Sequence, residues 1–143
     1  MSARILVVDD NPLNLRMLAD WLATEHYVVN TATDGFEALA KIAAERPDIV
    51  LLDVVMPELN GFEVCRRIKA DPTMADIPVI MVTALSDVDD LVRGFESGAN
   101  DFLTKPINKT ELLLRVRSAL ESRKHASEVD QAVAYIEGVQ AGS

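Results

Sequence analysis

The sequence predicts a single α/β domain built on a parallel β-sheet with helices on both faces. Five short apolar runs alternate with five segments whose apolar residues repeat at helical spacing. Three of the runs are nearly continuous in Val, Ile and Leu, which is typical of strands covered on both faces. Strands that alternate with helices pair in parallel through right-handed crossovers. The predicted strands are Ile5–Val8, Tyr27–Thr31, Ile49–Leu52, Val79–Val82 and Phe102–Thr104.

Each predicted helix has an apolar stripe and begins or ends at residues typical of a helix boundary. Pro12 suits the first turn of the first helix, and Gly98 suits the left-handed cap that ends the fourth. Asp34-Gly35 precedes the second helix, and Asp71-Pro72 follows the third. The stripes are Leu15/Leu18/Leu22, Ala38/Leu39/Ile42, Val64/Ile68, Leu91/Val92/Phe95 and Leu112/Leu113/Val116/Leu120.

The last part of the chain is predicted to be separate from this domain. We assign residues 1–122 to the α/β domain and residues 123–143 to a helical C-terminal extension or linker. Ala126, Val129, Val133 and Ile136 are spaced like the seam of a coiled coil. Two interpretations stay open at this point: a fraying extension of the fifth helix, or a linker helix that pairs with a partner chain or leads into an effector domain.

Charge and composition exclude several classes of function. The net charge is −9, which argues against non-specific binding to nucleic acid or to an anionic membrane. The apolar run near the N-terminus is too short for a signal peptide or a membrane span, so we expect a cytoplasmic protein. The single cysteine, Cys65, is expected to be a small hydrophobic residue on a helix face.

Chemically active side chains follow four of the five predicted strands. Asp9 and Asp10 end the first strand, Asp53 the third, Thr83 the fourth and Lys105 the fifth. Ligands of parallel α/β sheets bind beyond the carboxyl ends of the strands, so we expect these groups to lie together. A set of oxygen ligands suits Mg²⁺.

The same residues predict phosphoryl transfer to a carboxylate. With two carboxylates on the metal, Asp53 is free to attack phosphorus and form an acyl phosphate, while Lys105 and Thr83 contact the transferred group. Each residue alone has an ordinary interpretation, such as a helix cap for Asp9 or Asp10. Their joint occurrence at four strand ends indicates a site.

Four stretches of the sequence resemble one family. "ILVVDDNP", "PDIVLLDVVMPELNGFEVCRRIK", "IPVIMVTAL" and "GANDFLTKPI" resemble the response-regulator receiver domain of two-component signalling, from Arg4 to about Leu120. The phrases "DPT…IPV" and "ESGANDFLTKPI" are most similar to receivers that precede diguanylate cyclase (GGDEF) output domains. The resemblance implies a flavodoxin-like (CheY-like) three-layer sandwich with five helices and a sheet of order 2-1-3-4-5.

The resemblance also implies a role for each acidic residue of the site. Asp53 becomes the phosphoacceptor and a metal ligand. Asp10 becomes a direct Mg²⁺ ligand and Asp9 a ligand largely through water. The backbone carbonyl of Val55 completes the protein's share of the metal shell.

The switch implied by the resemblance lies next to the acceptor. Thr83 and Lys105 contact the phosphoryl group, and Lys105-Pro106 is expected to be a cis peptide. Phe102 occupies the switch position and rotates inward when Thr83 moves toward the phosphoryl oxygen. The surface of the fourth helix, fifth strand and fifth helix changes as a result.

The implied partners are a sensor histidine kinase or phosphotransfer protein and an output domain or partner protein, with a diguanylate cyclase as one candidate. A homodimer formed on phosphorylation is also expected, and direct contact with nucleic acid or membrane is not. The chain is then a regulatory phosphoacceptor that catalyses only its own phosphorylation and dephosphorylation. The alternative is a hydrolase of small phosphorylated substrates that forms the same aspartyl phosphate. Such enzymes use a second acidic residue where this chain has Val55.

Val55 and Leu85 lie two residues beyond Asp53 and Thr83, respectively. Neither side chain can orient a water molecule for attack on the acyl phosphate, so we expect slow self-dephosphorylation.

Overall fold

The computed structural model describes residues 2–84 and 88–123. Its sheet has five parallel strands in the order β2-β1-β3-β4-β5, which confirms the predicted fold class. The predicted strand limits agree with the observed ones to within one residue. The strands are β1 (Arg4–Val8), β2 (Val28–Ala32), β3 (Ile49–Asp53), β4 (Val79–Thr83) and β5 (Asp101–Thr104).

Helices follow the strands in alternation, as the apolar stripes predicted. They are α1 (Pro12–Ala23), α2 (Gly35–Ala44), α3 (Gly61–Ala70), α4 (Val88–Glu96) and α5, which comprises residues 109–123. Short polar side chains start four of them. Asn11, Asp34, Asn60 and Asn108 each accept a hydrogen bond from a backbone N–H of the first turn, which would otherwise lack a partner.

Two apolar cores lie on opposite faces of the sheet. One contains the stripes of α1 and α5, including Leu18 and Val116, against alternate residues of β1, β3 and β4. The other contains the stripes of α2 and α3, including Ile42 and Ile68, against the remaining residues of those strands. Every residue of β3 and β4 is buried, which explains why these two runs are almost purely apolar.

Several local predictions are confirmed. Gly98 follows α4 with φ of +99°, the left-handed conformation expected of a helix cap. The Lys105-Pro106 peptide bond is cis. Cys65 is fully buried on the apolar face of α3.

The division into residues 1–122 and 123–143 stays a prediction. Residues 124–143, including the apolar seam at Ala126, Val129, Val133 and Ile136, lie outside the described residues. Over the part of the chain that is described, no helix has both the length and the apolar content that crossing a membrane requires.

Candidate functional site

Three carboxylates meet where two neighbouring strands, β1 and β3, end. Asp9 follows β1 directly, and Asp53 is the last residue of β3; the two strands pair in register, with Val8 opposite Leu52. Oxygen atoms of Asp9, Asp10 and Asp53 all lie within 4.8 Å of one another. Asp9 and Asp53 are only 2% and 3% exposed, whereas Asp10 is exposed to solvent. The strand register therefore produces the predicted acidic cluster.

Asp9 is held in place by the start of α1. One of its carboxylate oxygens accepts a hydrogen bond from the backbone N–H of Asn11 at 2.9 Å, and the other accepts one from Nδ2 of Asn14 at 3.3 Å. The role of Asn14 was not predicted from the sequence. The feature of the sequence that could have indicated this role is the position of Asn14 in the first turn of α1, which lies over the end of β1.

Lys105 reaches the carboxylate of Asp53. Its Nζ donates a hydrogen bond to Oδ2 of Asp53 at 3.1 Å, and the backbone N–H of Val55 donates one to Oδ1 at 3.2 Å. Burial raises the pKa of Asp53, the hydrogen bond from Lys105 lowers it, and the nearby Asp9 carboxylate raises it further; the net direction is upward. Asp53 is therefore a buried carboxylate whose charge is only partly compensated by the protein.

Thr83 lies at the same edge of the sheet. It ends β4 and is 3% exposed, and its backbone carbonyl accepts a hydrogen bond from the N–H of Lys105 at 2.8 Å. Because Asp53 pairs with Val82 in the β3–β4 register, Thr83 is one position further toward the carboxyl edge. The structure therefore brings all five predicted strand-end residues to one edge of the sheet.

The loop after β3 is fixed close to Asp53. The N–H of Gly61 donates to the carbonyl of Val54 at 2.9 Å, and a Cβ added at Gly61 would lie 2.4 Å from the backbone oxygen of Asp53. Only a glycine allows α3 to begin this near the end of β3. The side chain of Val55 is 63% exposed and offers no polar atom beside the carboxylate.

Phe102 lies on β5 and does not belong to the acidic cluster. It pairs with Met81 of β4, so along the strand it lies two residues before the level of Thr83. Its ring is half-buried and packs edge-on against Phe95 of α4, with the ring centroids 4.7 Å apart. The predicted switch residue therefore connects β5 to α4.

The donor set fits a divalent cation. Three carboxylate groups face one another and one ammonium group, that of Lys105, is hydrogen-bonded to Asp53, so a compact charge of +2 would neutralise the remainder. Carboxylate oxygens are hard ligands of the kind that Mg²⁺ prefers. Asp9, Asp10 and Asp53 are the residues available to hold it.

Comparison with known proteins agrees with this geometry. Residues 5–117 match the family model of the response regulator receiver domain. The chain belongs to the response-regulator receiver family. Its relatives include the response regulator PleD of Caulobacter vibrioides, which is 57% identical over 118 residues, covering 82% of this chain and 26% of PleD. The transcriptional regulator RpaA of Synechocystis is 39% identical over 135 residues, covering 90% of this chain and 56% of RpaA.

Solved structures show the same fold. A response regulator from Chloroflexus aurantiacus superposes with a TM-score of 0.81 at 36% identity, covering 85% of this chain and 99% of that one. The chemotaxis protein CheY4 of Vibrio cholerae gives a TM-score of 0.80 at 33% identity, covering 84% of this chain and 100% of that one.

As a family, receiver domains are regulatory modules that interact with histidine kinases and output domains and bind Mg²⁺. This chain is a receiver domain of the two-component type and spans about a quarter of the length of PleD.

Proposed function

We propose that Asp53 is the residue that accepts the phosphoryl group, from a sensor histidine kinase or a phosphotransfer protein. The observation that supports this best is the position of Asp53, buried at the end of the central strand and hydrogen-bonded to Lys105 at 3.1 Å. Asp9 and Asp10 lie beside it, within 4.8 Å, but end a different strand.

In the transfer, a carboxylate oxygen of Asp53 attacks phosphorus and a new O–P bond forms. The bond between phosphorus and the donor's imidazole nitrogen breaks, and the nitrogen keeps the electron pair. The product is an acyl phosphate on Asp53 and a free histidine on the donor. Phosphoryl transfer requires mainly positioning and charge neutralisation, so the residues around Asp53 have few covalent tasks.

Lys105 and Thr83 stabilise the charge that moves onto the transferred group. The ammonium of Lys105 already contacts Oδ2 of Asp53, and it follows the negative charge outward to a phosphoryl oxygen. The Thr83 hydroxyl donates to a second phosphoryl oxygen. Mg²⁺, when held by Asp9, Asp10, Asp53 and the Val55 carbonyl, supplies neutralisation of the carboxylates and the phosphoryl oxygens.

The readout of phosphorylation is a change of packing around Phe102. Movement of Thr83 toward the phosphoryl group frees space on its side of the sheet, and the Phe102 ring rotates into that space. The surface made by α4, β5 and α5 then changes, which is a shift of population between two packings.

The downstream partner is an output domain, and we propose a diguanylate cyclase, on the likeness of "ESGANDFLTKPI" to receivers of that kind. Phosphorylation is proposed to favour a homodimer through the α4–β5–α5 surface or the C-terminal segment. Analytical ultracentrifugation of the chain with and without acetyl phosphate tests the dimer, and an unchanged sedimentation coefficient would contradict it.

The acceptor is tested by incubation with acetyl phosphate and Mg²⁺. We expect one phosphoryl group per chain, removed by hydroxylamine as an acyl phosphate is, and mapped to Asp53 by mass spectrometry. Asp53→Asn should abolish labelling, and Asp20→Asn, an exposed residue of α1, should not. Labelling that persists in Asp53→Asn would refute the assignment. Rapid turnover of acetyl phosphate without stable labelling would favour the hydrolase instead.

A further inference from the structure

Helix α4 approaches the sheet through a residue without a side chain. Gly94 is the buried residue of α4, and its surroundings are filled by Phe102. A Cβ built on Gly94 would lie 2.4 Å from Cε1 and 2.5 Å from Cζ of Phe102, and 3.5 Å from Sδ of Met81. The outer edge of the Phe102 ring therefore occupies the place where a side chain at position 94 would begin.

The backbone around Gly94 cannot easily give way. Its carbonyl oxygen accepts a hydrogen bond from Oγ of Ser97 at 2.6 Å and another from the N–H of Ala99 at 3.2 Å. Ser97 and Ala99 are both buried. An interior glycine destabilises a helix relative to alanine, so glycine at position 94 has a local cost. The close approach of the Phe102 ring explains why position 94 is nevertheless a glycine.

Phe95, the next residue of α4, also contacts the Phe102 ring. Its ring meets the Phe102 ring in a T-shaped contact, although Phe95 itself is 61% exposed. We call the space bounded by Gly94 and Phe95 the α4 slot. In this structure, the Phe102 ring lies in the α4 slot, against the Phe95 ring and the bare backbone of Gly94.

We infer that Gly94 sets the position of the Phe102 ring and thereby couples α4 to the switch: the ring can lie in the α4 slot only because position 94 has no side chain. The position of the Phe102 ring in the slot follows from these contacts alone. Its consequence for signalling rests on the proposed function, since it is phosphorylation of Asp53 that would draw the ring out of the slot.

A double-mutant cycle tests the steric part. The two clashing atoms, Cε1 and Cζ, are absent from leucine, so Phe102→Leu removes the obstacle and keeps an apolar residue on β5. We expect Gly94→Ala to lower the urea midpoint of unfolding in the parent chain. In the Phe102→Leu background, the same substitution should raise the midpoint, because alanine is then only a better helix former. An equal shift of the same sign in both backgrounds would overturn the inference.

NMR of the parent chain provides a test that needs no variant. With selectively labelled phenylalanine, we expect nuclear Overhauser effects between the Phe102 ring protons and both Hα protons of Gly94. These should be lost when beryllofluoride is added with Mg²⁺ as a phosphoryl mimic. Their absence from the resting chain would refute the inference.

The final comparison separates this inference from the proposed function. Gly94 lies on α4, outside the phosphoryl site, so Gly94→Ala should still be labelled by acetyl phosphate at Asp53. The shift of the Phe102 ring resonances on labelling should, however, be largely lost, because the ring has already left the α4 slot. If Gly94→Ala is labelled and its Phe102 resonance shift is unchanged, only the role of Gly94 is contradicted. If the parent chain is not labelled, the proposed function is contradicted.

Discussion

The acidic cluster should make the metal-free domain less stable than its Asp53→Asn variant. At an effective dielectric constant of about 20, unit charges at the 4.8 Å upper limit of the cluster repel by roughly 3.5 kcal/mol. Asp53 faces the buried carboxylate of Asp9 and that of Asp10, which is exposed and therefore screened by solvent. On the same scale, the ammonium of Lys105 at 3.1 Å attracts Asp53 by roughly 5 kcal/mol, reduced by solvent because Lys105 is 30% exposed. Asparagine is uncharged, so the substitution removes the repulsion from the carboxylates, the attraction to Lys105 and the cost of desolvating a buried charge.

The net expected gain for Asp53→Asn is about 1–3 kcal/mol in the free energy of unfolding at pH 7 in EDTA. Urea denaturation followed by circular dichroism measures it. Asp20→Asn changes the net charge by the same amount at an exposed position of α1, so it is the matched control. Equal midpoints for the parent and Asp53→Asn, or an equal gain in Asp20→Asn, would refute the electrostatic reasoning.

The gain should depend on pH in a defined direction. Folding raises the pKa of Asp53, mainly through burial, so the folded chain holds that proton more tightly than the unfolded chain does. The associated stability is present at low pH and is lost as pH rises through the folded pKa. The difference between the parent and Asp53→Asn should therefore vanish in acid and grow toward neutral pH. A difference that grows as pH falls would have the wrong sign.

Magnesium should narrow the difference in stability between the parent and Asp53→Asn. A ligand at ten times its dissociation constant stabilises the folded state by about 1.4 kcal/mol. The parent has three carboxylates to bind the ion and Asp53→Asn has two, so Mg²⁺ should raise the parent's urea midpoint more.

Three further predictions concern the surroundings of the site. Gly61→Ala should destabilise the fold by about 1–3 kcal/mol, measured by urea denaturation, because the new Cβ would meet the backbone of Asp53 at 2.4 Å. Asp34→Ala should cost about 1 kcal/mol in the same assay, because it removes the N-cap of α2, whereas Asp34→Asn should cost less. Val55→Asn combined with Leu85→Glu should shorten the lifetime of the acyl phosphate, followed by loss of label, because both side chains can orient water; an unchanged lifetime would contradict that reasoning.

The sequence determined the elements and the edge of the sheet at which the chemistry lies. Buried strands need apolar residues on both faces, so the runs at Ile49–Leu52 and Val79–Val82 could be recognised locally. Alternation with helices then requires parallel strands, and parallel strands place their carboxyl ends together. The convergence of Asp9, Asp53 and Lys105 follows from that rule, without any distance being known.

The tertiary structure decided which of these groups touch and what their environment does to them. Lys105 and Asp53 are 52 residues apart in the chain, and their 3.1 Å contact depends on strand order, which local periodicity does not encode. The bond from Asn14 to Asp9 and the fit of Phe102 against Gly94 likewise depend on how α1 and α4 pack on the sheet. Hydrophobic periodicity in a sequence indicates that a residue is buried; only the packed structure specifies its neighbours, and contact energies and pKa values depend on those neighbours.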